Sequence, residues 1–243
     1  MSHRRHDPGH HPTQSTTGDG SVTDLSQARH GDPGARTPGM LHGRGRSYDI
    51  LAAVFFGGRR RRFFTRLVAE SGAHPGDRVL DVGCGTGYLT RMMAETVAPG
   101  GTARGVDPSG EAITQARRLA HRANCTFSDG IAEALDAPDD TYDVVVSSLM
   151  IHHLPEAQRP RAIGEMFRVL RPRGSLLIAE FRPPASRIGR RLVSALTGHN
   201  AMAENRVDLL DPMIREAGFE HIHSGDLRPW THYVQARKPP AAV

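Results

Sequence analysis

Residues 79–89 of the chain read Val-Leu-Asp-Val-Gly-Cys-Gly-Thr-Gly-Tyr-Leu. The first four residues are mostly apolar and include two β-branched valines, which predicts a short buried strand. Three glycines at alternate positions then predict a tight turn whose backbone can approach a ligand closely. Apolar residues at helical spacing follow in residues 88–95. The stretch therefore predicts strand, turn and helix, the opening of a nucleotide-binding βαβ unit.

The spacing of the glycines bears on which ligand the turn accepts. Gly83, Gly85 and Gly87 alternate, whereas a dinucleotide-binding turn has its third glycine one residue later. Tyr88 holds that later position, and its side chain would crowd a pyrophosphate against the helix. The pattern therefore disfavours a dinucleotide.

An acidic residue follows the next predicted strand, residues 102–106. Asp107 lies about 20 residues beyond the glycine turn, the distance at which a carboxylate reaches ribose hydroxyls in such folds. An acid near a helix N-cap is the alternative interpretation. The position at a strand end favours the ribose role.

Length and composition place the chain among globular α/β proteins. The 243 residues, of which 38% are apolar, suffice for one domain with a sizeable core. No apolar run approaches the ~20 residues of a membrane span, and no signal-peptide core is seen. Cys84 and Cys125 are too few for a disulfide framework or a cysteine metal cluster. We therefore expect a cytoplasmic protein with no resident metal.

The formal net charge of +5 comes almost entirely from arginine, since Lys238 is the only lysine. We interpret this first as coding bias. The arginines are spread along the chain without interleaved stacking aromatics, so no nucleic-acid partner is expected. The run Arg59–Arg62 could contact an anionic lipid surface or an acidic substrate, but a solvated turn and helix face is favoured.

Residues 1–45 differ from the rest of the chain. They are rich in His, Gly and Pro and contain almost no apolar residues, so they cannot offset the entropy cost of ordering. We predict a disordered tail at 1–45 and one domain at 46–243. The domain begins with a helical pattern over residues 47–72, which Gly57 and Gly58 divide.

Further strands are predicted at residues 125–128, 141–148 and 175–181, with a turn at 171–174 before the last of these. A helix over residues 188–196 is expected to form a lid. Another helix at 208–217 precedes two predicted strands at 219–225 and 230–237. Glu180, near the end of the fifth strand, is expected to point toward the cleft where α/β sheets bind ligands.

Three separated blocks carry a family resemblance, namely residues 81–87, 142–154 and 168–175. They resemble class I S-adenosylmethionine (SAM)-dependent methyltransferases of the UbiE-like small-molecule branch. The resemblance implies a Rossmann-like α/β fold: a seven-stranded, mostly parallel sheet with helices on both faces, a helical N-terminal segment and a small helical lid.

The activity that the resemblance implies is methyl transfer from SAM to a small-molecule or lipid-like acceptor, such as a quinone, a phenol or a secondary metabolite. Three alternatives stay open: an RNA or nucleic-acid methyltransferase, an NAD-dependent oxidoreductase, and a SAM-binding protein without transferase activity. We expect a monomer or a homodimer. Arg187, Arg190 and Arg191 in the lid keep contact with an anionic membrane open as a hypothesis.

The resemblance also implies a cofactor site. The methionine part of SAM would lie against Asp81, Gly83, Cys84 and Gly85, the ribose against Asp107, and the adenine against Pro108, Asp129, Gly130, Ile131 and Ala132, with Ser147 beside the sulfonium. Relatives usually have an aspartate where this chain has Ile131. Adenine recognition is therefore expected from Ile131 packing and the Ala132 N–H, and the role of Asp129 is uncertain.

Methyl transfer asks little of the side chains, because holding the acceptor in line supplies most of the rate. An oxygen or carbon acceptor also loses a proton, and a histidine has a suitable pKa range for a base. His152 and His153, just past the fourth strand, are the candidates. A packing or hydrogen-bonding role is the favoured interpretation for them.

Overall fold

The structure is a computed structural model that describes residues 60–191, 205–227 and 230–241. The predicted tail at 1–45, the first half of the predicted N-terminal helical region and most of the predicted lid lie outside the described residues.

Within the described residues, seven strands form one sheet in the order β3-β2-β1-β4-β5-β7-β6. The strands are β1 (Arg78–Val82), β2 (Thr102–Asp107), β3 (Cys125–Asp129), β4 (Tyr142–Ser148), β5 (Leu170–Phe181), β6 (Glu220–Leu227) and β7 (Thr231–Arg237). Strands β1 to β5 pair in parallel, and β7 joins β5 and β6 in antiparallel pairs. The expected seven-stranded, mostly parallel sheet is confirmed.

Five helices with defined bounds cover the sheet in the part of the chain that the structure describes. They are α1 (Arg60–Glu70), α2 (Tyr88–Thr96), α3 (Gly110–Leu119), α4 (Arg159–Val169) and α5 (Leu210–Glu216). Helices α1 to α3 share one apolar cluster on one face of the sheet, and α4 and α5 share a second cluster on the other face. Residues 187–191 are also helical.

The central strand β4 is buried on both faces, as its run of valines predicts. Val144 and Val146 pack into the cluster of α1 to α3, while Val145 packs into the cluster of α4 and α5. Because successive strand residues point to opposite faces, one strand contributes to both halves of the core.

Asp143, which belongs to one of the resemblance blocks, lies at the amino end of the sheet. Its carboxylate accepts a hydrogen bond from the Arg78 backbone N–H at 2.5 Å and pairs with the Arg171 guanidinium. It therefore ties β4 to the start of β1 and to β5, at the opposite end of the strands from the predicted site.

The turn predicted at residues 171–174 is instead an irregular start of β5. Leu170 pairs with Tyr142, the register then shifts, and regular pairing resumes where Ser175 lies opposite Val144. Lys238 stabilises this region, because its ammonium donates to the carbonyl oxygens of Phe167 at 3.0 Å and Leu170 at 2.7 Å. A cation near the carboxyl end of α4 is also favoured by the helix dipole.

Among the residues that the structure describes, no helix combines the length and the apolar character that crossing a membrane requires.

Candidate functional site

The chain leaves β1 toward β2 and β3 on one side and returns to β4 on the other side of β1. In open α/β sheets, ligands bind beside the carboxyl ends of the strands where the strand order reverses in this way. The predicted cofactor residues lie at or just beyond the carboxyl ends of β1, β2, β3 and β4. The fold therefore brings those strand ends together at one edge of the sheet.

The three glycines of the turn after β1 have different structural reasons to be glycine. All three have positive φ angles, of 75° at Gly83, 52° at Gly85 and 75° at Gly87. A Cβ atom on Gly83 would overlap Met150, and one on Gly87 would overlap the Phe127 ring. A Cβ on Gly85 would meet nothing within 4 Å. Gly83 and Gly87 therefore serve packing, whereas Gly85 borders open space that a ligand can occupy.

Asp107 links the ends of β1 and β2. One of its carboxylate oxygens accepts the Gly85 N–H at 2.8 Å, and the other accepts the Ser109 N–H at 2.9 Å. Burial raises the pKa of Asp107, and these two N–H groups only partly oppose that effect. Because an ionised carboxylate has about four acceptor sites, each oxygen keeps capacity for one hydroxyl donor. The geometry thus suits a ribose diol.

Asp81 is 1% exposed, and its Oδ2 accepts a hydrogen bond from the Thr90 hydroxyl at 2.6 Å. Desolvation by burial raises the pKa of Asp81 to about 7, against the lowering effect of the Thr90 hydrogen bond. Thr90 was not among the residues predicted for the site. It is a polar residue on the face of α2 that the apolar periodicity predicts to be buried, which is the sequence signal that marks it.

The loop after β3 presents a mixed surface. The Gly130 N–H donates to the Asp107 carbonyl oxygen at 3.2 Å, which fixes the loop against β2. Ile131 is 48% exposed, whereas the side chain of Ala132 is buried in the core. The Asp129 carboxylate lies 3.7 Å from the Arg117 guanidinium. Ile131 follows the backbone that is bonded to Asp107, and Pro108 follows Asp107 in the chain; both side chains are exposed and suit packing against a flat aromatic base.

Two of the predicted cofactor residues direct their side chains into the protein. The Cys84 sulfur packs at Gly105 of β2, and burial raises the pKa of its thiol. The Ser147 hydroxyl donates to the Val82 carbonyl oxygen at 2.9 Å and is buried. Cys84 can therefore offer a ligand mainly its backbone, and the Ser147 hydroxyl is already used between β4 and β1.

The loop after β4 is held by Glu180. The expectation that this side chain points toward the cleft is wrong, because Glu180 is 0% exposed and lies beneath the loop. Its Oε1 accepts the N–H groups of Met150 and Ile151, and its Oε2 lies 2.6 Å from the His152 Nδ1. Burial alone would raise the pKa of Glu180, but His152 and the Ile151 N–H outweigh it and the pKa is lowered.

The two candidate bases differ in their surroundings. His152 is 4% exposed and faces Glu180, whereas His153 is exposed at the carboxyl edge of the sheet. Their ring centroids lie 4.1 Å apart. Of the two histidines, only His153 is placed where it can meet a substrate directly.

Comparison with known proteins relates this chain to methyl-transferring enzymes. A family described as "Methyltransferase domain" matches residues 79–174. A demethylmenaquinone methyltransferase of Symbiobacterium thermophilum is 32% identical over 190 residues, which cover 76% of this chain and 71% of that protein. The UbiE ubiquinone/menaquinone biosynthesis C-methyltransferase of Vibrio vulnificus is 28% identical over 212 residues, covering 77% and 81%.

Solved structures show the same fold. A SAM-dependent methyltransferase from Aquifex aeolicus superposes with a TM-score of 0.61 at 19% sequence identity, over 72% of this chain and 88% of that one. At this identity the likeness concerns the fold alone.

Proposed function

Because the chain belongs to the UbiE-like class I methyltransferases, which use SAM to methylate small molecules, we propose that its acceptor is a ring carbon of a reduced naphthoquinone. The observation that carries this proposal is the 32% identity to a demethylmenaquinone methyltransferase across most of both chains. The acceptor must be the hydroquinone form, since the ring carbon of an oxidised quinone is electron-poor and does not attack a methyl group.

The residues at the carboxyl edge fit SAM, and we assign them as follows. The backbone at Gly83, Cys84 and Gly85 and the carboxylate of Asp81 hold the methionine part of the cofactor. Asp107 accepts from the ribose hydroxyls with the capacity that its two N–H partners leave. The open space at Gly85 supports this assignment, because a larger residue there would fill the cradle.

The adenine is assigned to the loop after β3. Pro108 and Ile131 pack on its faces, the backbone of Gly130 and Ala132 borders its edge, and Asp129 lies at the rim beside Arg117. Exposure of Ile131 in the protein alone supports this assignment, because an apolar side chain gains most from being covered by a ligand.

SAM supplies a methyl group that its positive sulfur already activates. The protein holds the acceptor ring in line, and proximity of this kind can supply about 7–11 kcal/mol of the barrier. His153 is the group that we assign to take the proton from a ring hydroxyl, which makes the neighbouring ring carbon more nucleophilic. The methyl–sulfur bond breaks as the methyl–carbon bond forms, and the cofactor would leave as the neutral thioether. The methylated carbon then loses its own proton to solvent, and His153 returns its proton to the ring oxygen, which restores the quinol and the neutral base. His152 is excluded as the direct base by its burial against Glu180.

The proposed acceptor is tested with methyl-labelled SAM and a short-chain demethylmenaquinone, with and without prior chemical reduction. We expect label on the ring carbon of the reduced compound and none with the oxidised one. A benzoquinol and a simple catechol serve as matched acceptors. Labelling of the catechol oxygen alone would contradict the proposed acceptor and leave the methyltransferase assignment in place.

Contact with an anionic membrane is a second part of the proposal, because a prenylated quinone partitions into lipid. Ile188 is 82% exposed and Trp230 is 46% exposed, and Arg187, Arg190 and Arg191 lie in the same segment as Ile188. Apolar anchors beside cations favour an anionic interface. We expect co-sedimentation with vesicles that contain phosphatidylglycerol, and loss of it in Ile188→Asp. Equal binding by neutral vesicles would contradict the electrostatic part.

A further inference from the structure

Glu180 is the centre of a buried polar cluster at the carboxyl end of β5. Its carboxylate has four partners: the N–H groups of Met150 at 2.9 Å and Ile151 at 2.6 Å, the His152 Nδ1 at 2.6 Å, and the Asn205 side-chain amide at 3.2 Å. Burial of a carboxylate is costly unless such partners satisfy it. The cluster thus holds a carboxylate that is fully satisfied and that the assigned cofactor contacts do not use.

The backbone that Glu180 holds is strained. Leu149 has a φ angle of 57°, in the left-handed region that a leucine rarely adopts, and Met150 follows with φ −119° and ψ −42°. This left-handed then right-handed sequence turns two successive N–H groups in one direction, as in an anion-binding nest. The anion in this nest is the Glu180 side chain. Strain of this kind persists only where the surroundings impose it.

The held loop reaches two parts of the proposed active site. The Met150 side chain packs so closely on Gly83 that a Cβ there would overlap it, so the loop abuts the turn assigned to SAM. His153, next to the Glu180-bound His152, is exposed at the same edge. Asn205 adds a third connection, because its amide also donates to the Phe181 carbonyl oxygen at 2.8 Å. Asn205, where the described chain resumes, is therefore anchored to the same carboxylate.

We propose that Glu180 is a positioning residue for methyl transfer, which fixes the loop of residues 149–153 so that His153 meets the acceptor hydroxyl and Met150 borders the SAM turn. This role rests on the proposed function. Glu180 itself touches neither cofactor nor acceptor. It acts through the loop, and it also holds Asn205, which lies just before the short helical turn Val207–Leu209.

The central test compares Glu180→Gln with Asp143→Asn. Both changes neutralise a buried carboxylate that accepts a backbone N–H, but Asp143 lies at the opposite end of the sheet. With the reduced demethylmenaquinone analogue we expect Glu180→Gln to lower kcat about tenfold or more, since small displacements of reacting groups are costly, and to leave KM for SAM within about threefold. Asp143→Asn should leave kcat unchanged. Equal kcat in parent and Glu180→Gln enzymes would overturn the role.

A second variant tests the positioning role even if Glu180→Gln does not fold. His152→Asn keeps the carboxylate and its two backbone partners but removes the ring beside His153. We expect kcat to fall in a protein that still unfolds cooperatively, which thermal unfolding checks. Unchanged kcat in a folded His152→Asn protein would also count against the positioning role.

Amide NMR tests whether Glu180 holds the loop through the Met150 and Ile151 N–H groups, and it requires no acceptor. The Met150 and Ile151 amide protons should lie downfield in the parent protein, because they donate to a carboxylate, and should move upfield in Glu180→Gln. Unmoved signals would overturn the role even if no quinol is methylated. Failure of the parent enzyme to methylate the quinol, with the amide shifts as expected, refutes the acceptor and leaves the loop anchor standing.

Discussion

At the scale of single residues, Asp107 is the side chain through which we propose that the ribose of SAM is bound. It joins the glycine turn to the end of β2 through its two N–H partners and is assigned to the ribose. A hydrogen bond to a charged group contributes about 1.5–3 kcal/mol, so we expect Asp107→Ala to weaken SAM about tenfold to a hundredfold. Isothermal titration with SAM and its demethylated product measures this. Asp107→Asn keeps one acceptor oxygen and should lose less affinity for SAM than Asp107→Ala.

The glycines of the turn allow a matched pair of substitutions. Gly83→Ala should lower the free energy of unfolding, because the new Cβ overlaps Met150, and SAM binding should fall with it. Gly85→Ala meets no protein atom and should cost only about 1–2 kcal/mol for its left-handed conformation. We expect a folded Gly85→Ala protein with weak SAM binding. Normal SAM affinity in that variant would place the cofactor elsewhere.

Because Asp81 is buried, we predict that the stability of the ligand-free protein depends on pH. Burial raises its pKa from 3.8 to about 7, so between those values the folded protein keeps a proton that the unfolded chain has lost. The contribution of Asp81 to the free energy of unfolding therefore falls as pH rises through this window.

Asp81→Asn removes this titration. Relative to the parent protein, the variant should become more stable as the pH is raised from about 5 to about 8. Thermal unfolding at several pH values in this range gives the comparison. A constant difference in melting temperature would mean that Asp81 titrates normally.

At the scale of elements, helix α1 is part of the folded core. Leu67 is 0% exposed and packs with Phe63 and Phe64, and the Arg60 guanidinium lies 4.3 Å from the Tyr88 ring centroid at the start of α2. We expect Leu67→Ala to lower the free energy of unfolding by about 2–5 kcal/mol. Leu119→Ala, at the 39% exposed end of α3, is the control and should cost much less. Urea unfolding measures both.

At the scale of the whole molecule, the predicted division at residue 45 can be tested by deletion. Removing residues 1–45 should leave the melting temperature of the domain unchanged, because a tail that buries no apolar surface adds no stability. SAM should raise the melting temperature of both proteins equally, by the equivalent of about 2.7 kcal/mol at a hundredfold excess over Kd. A lower melting temperature after deletion would assign the tail a place in the fold.

The order of strands and helices in this chain was readable from local pattern. The valines of β4 and the glycine turn after β1 predict a parallel α/β sheet, and the structure confirms that architecture. The predicted boundaries of the strands and helices are less accurate. Pro172 and Gly174 predict a turn at the irregular start of β5, because they signal turns locally, whereas the pairing of this segment with β4 is a long-range contact.

Local pattern is sufficient to predict that the residues at the ends of β1 and β2 lie at one ligand-binding edge, because parallel strands share their carboxyl ends. Which of their side chains point inward depends on contacts that form only in the folded protein. The Ser147 hydroxyl donates to the Val82 carbonyl oxygen, and Asp81 accepts a hydrogen bond from the Thr90 hydroxyl. Glu180 lies beneath the loop after β4 rather than in the cleft. Such pairings join residues far apart in the chain. Burial of a polar group requires a partner that local periodicity does not specify.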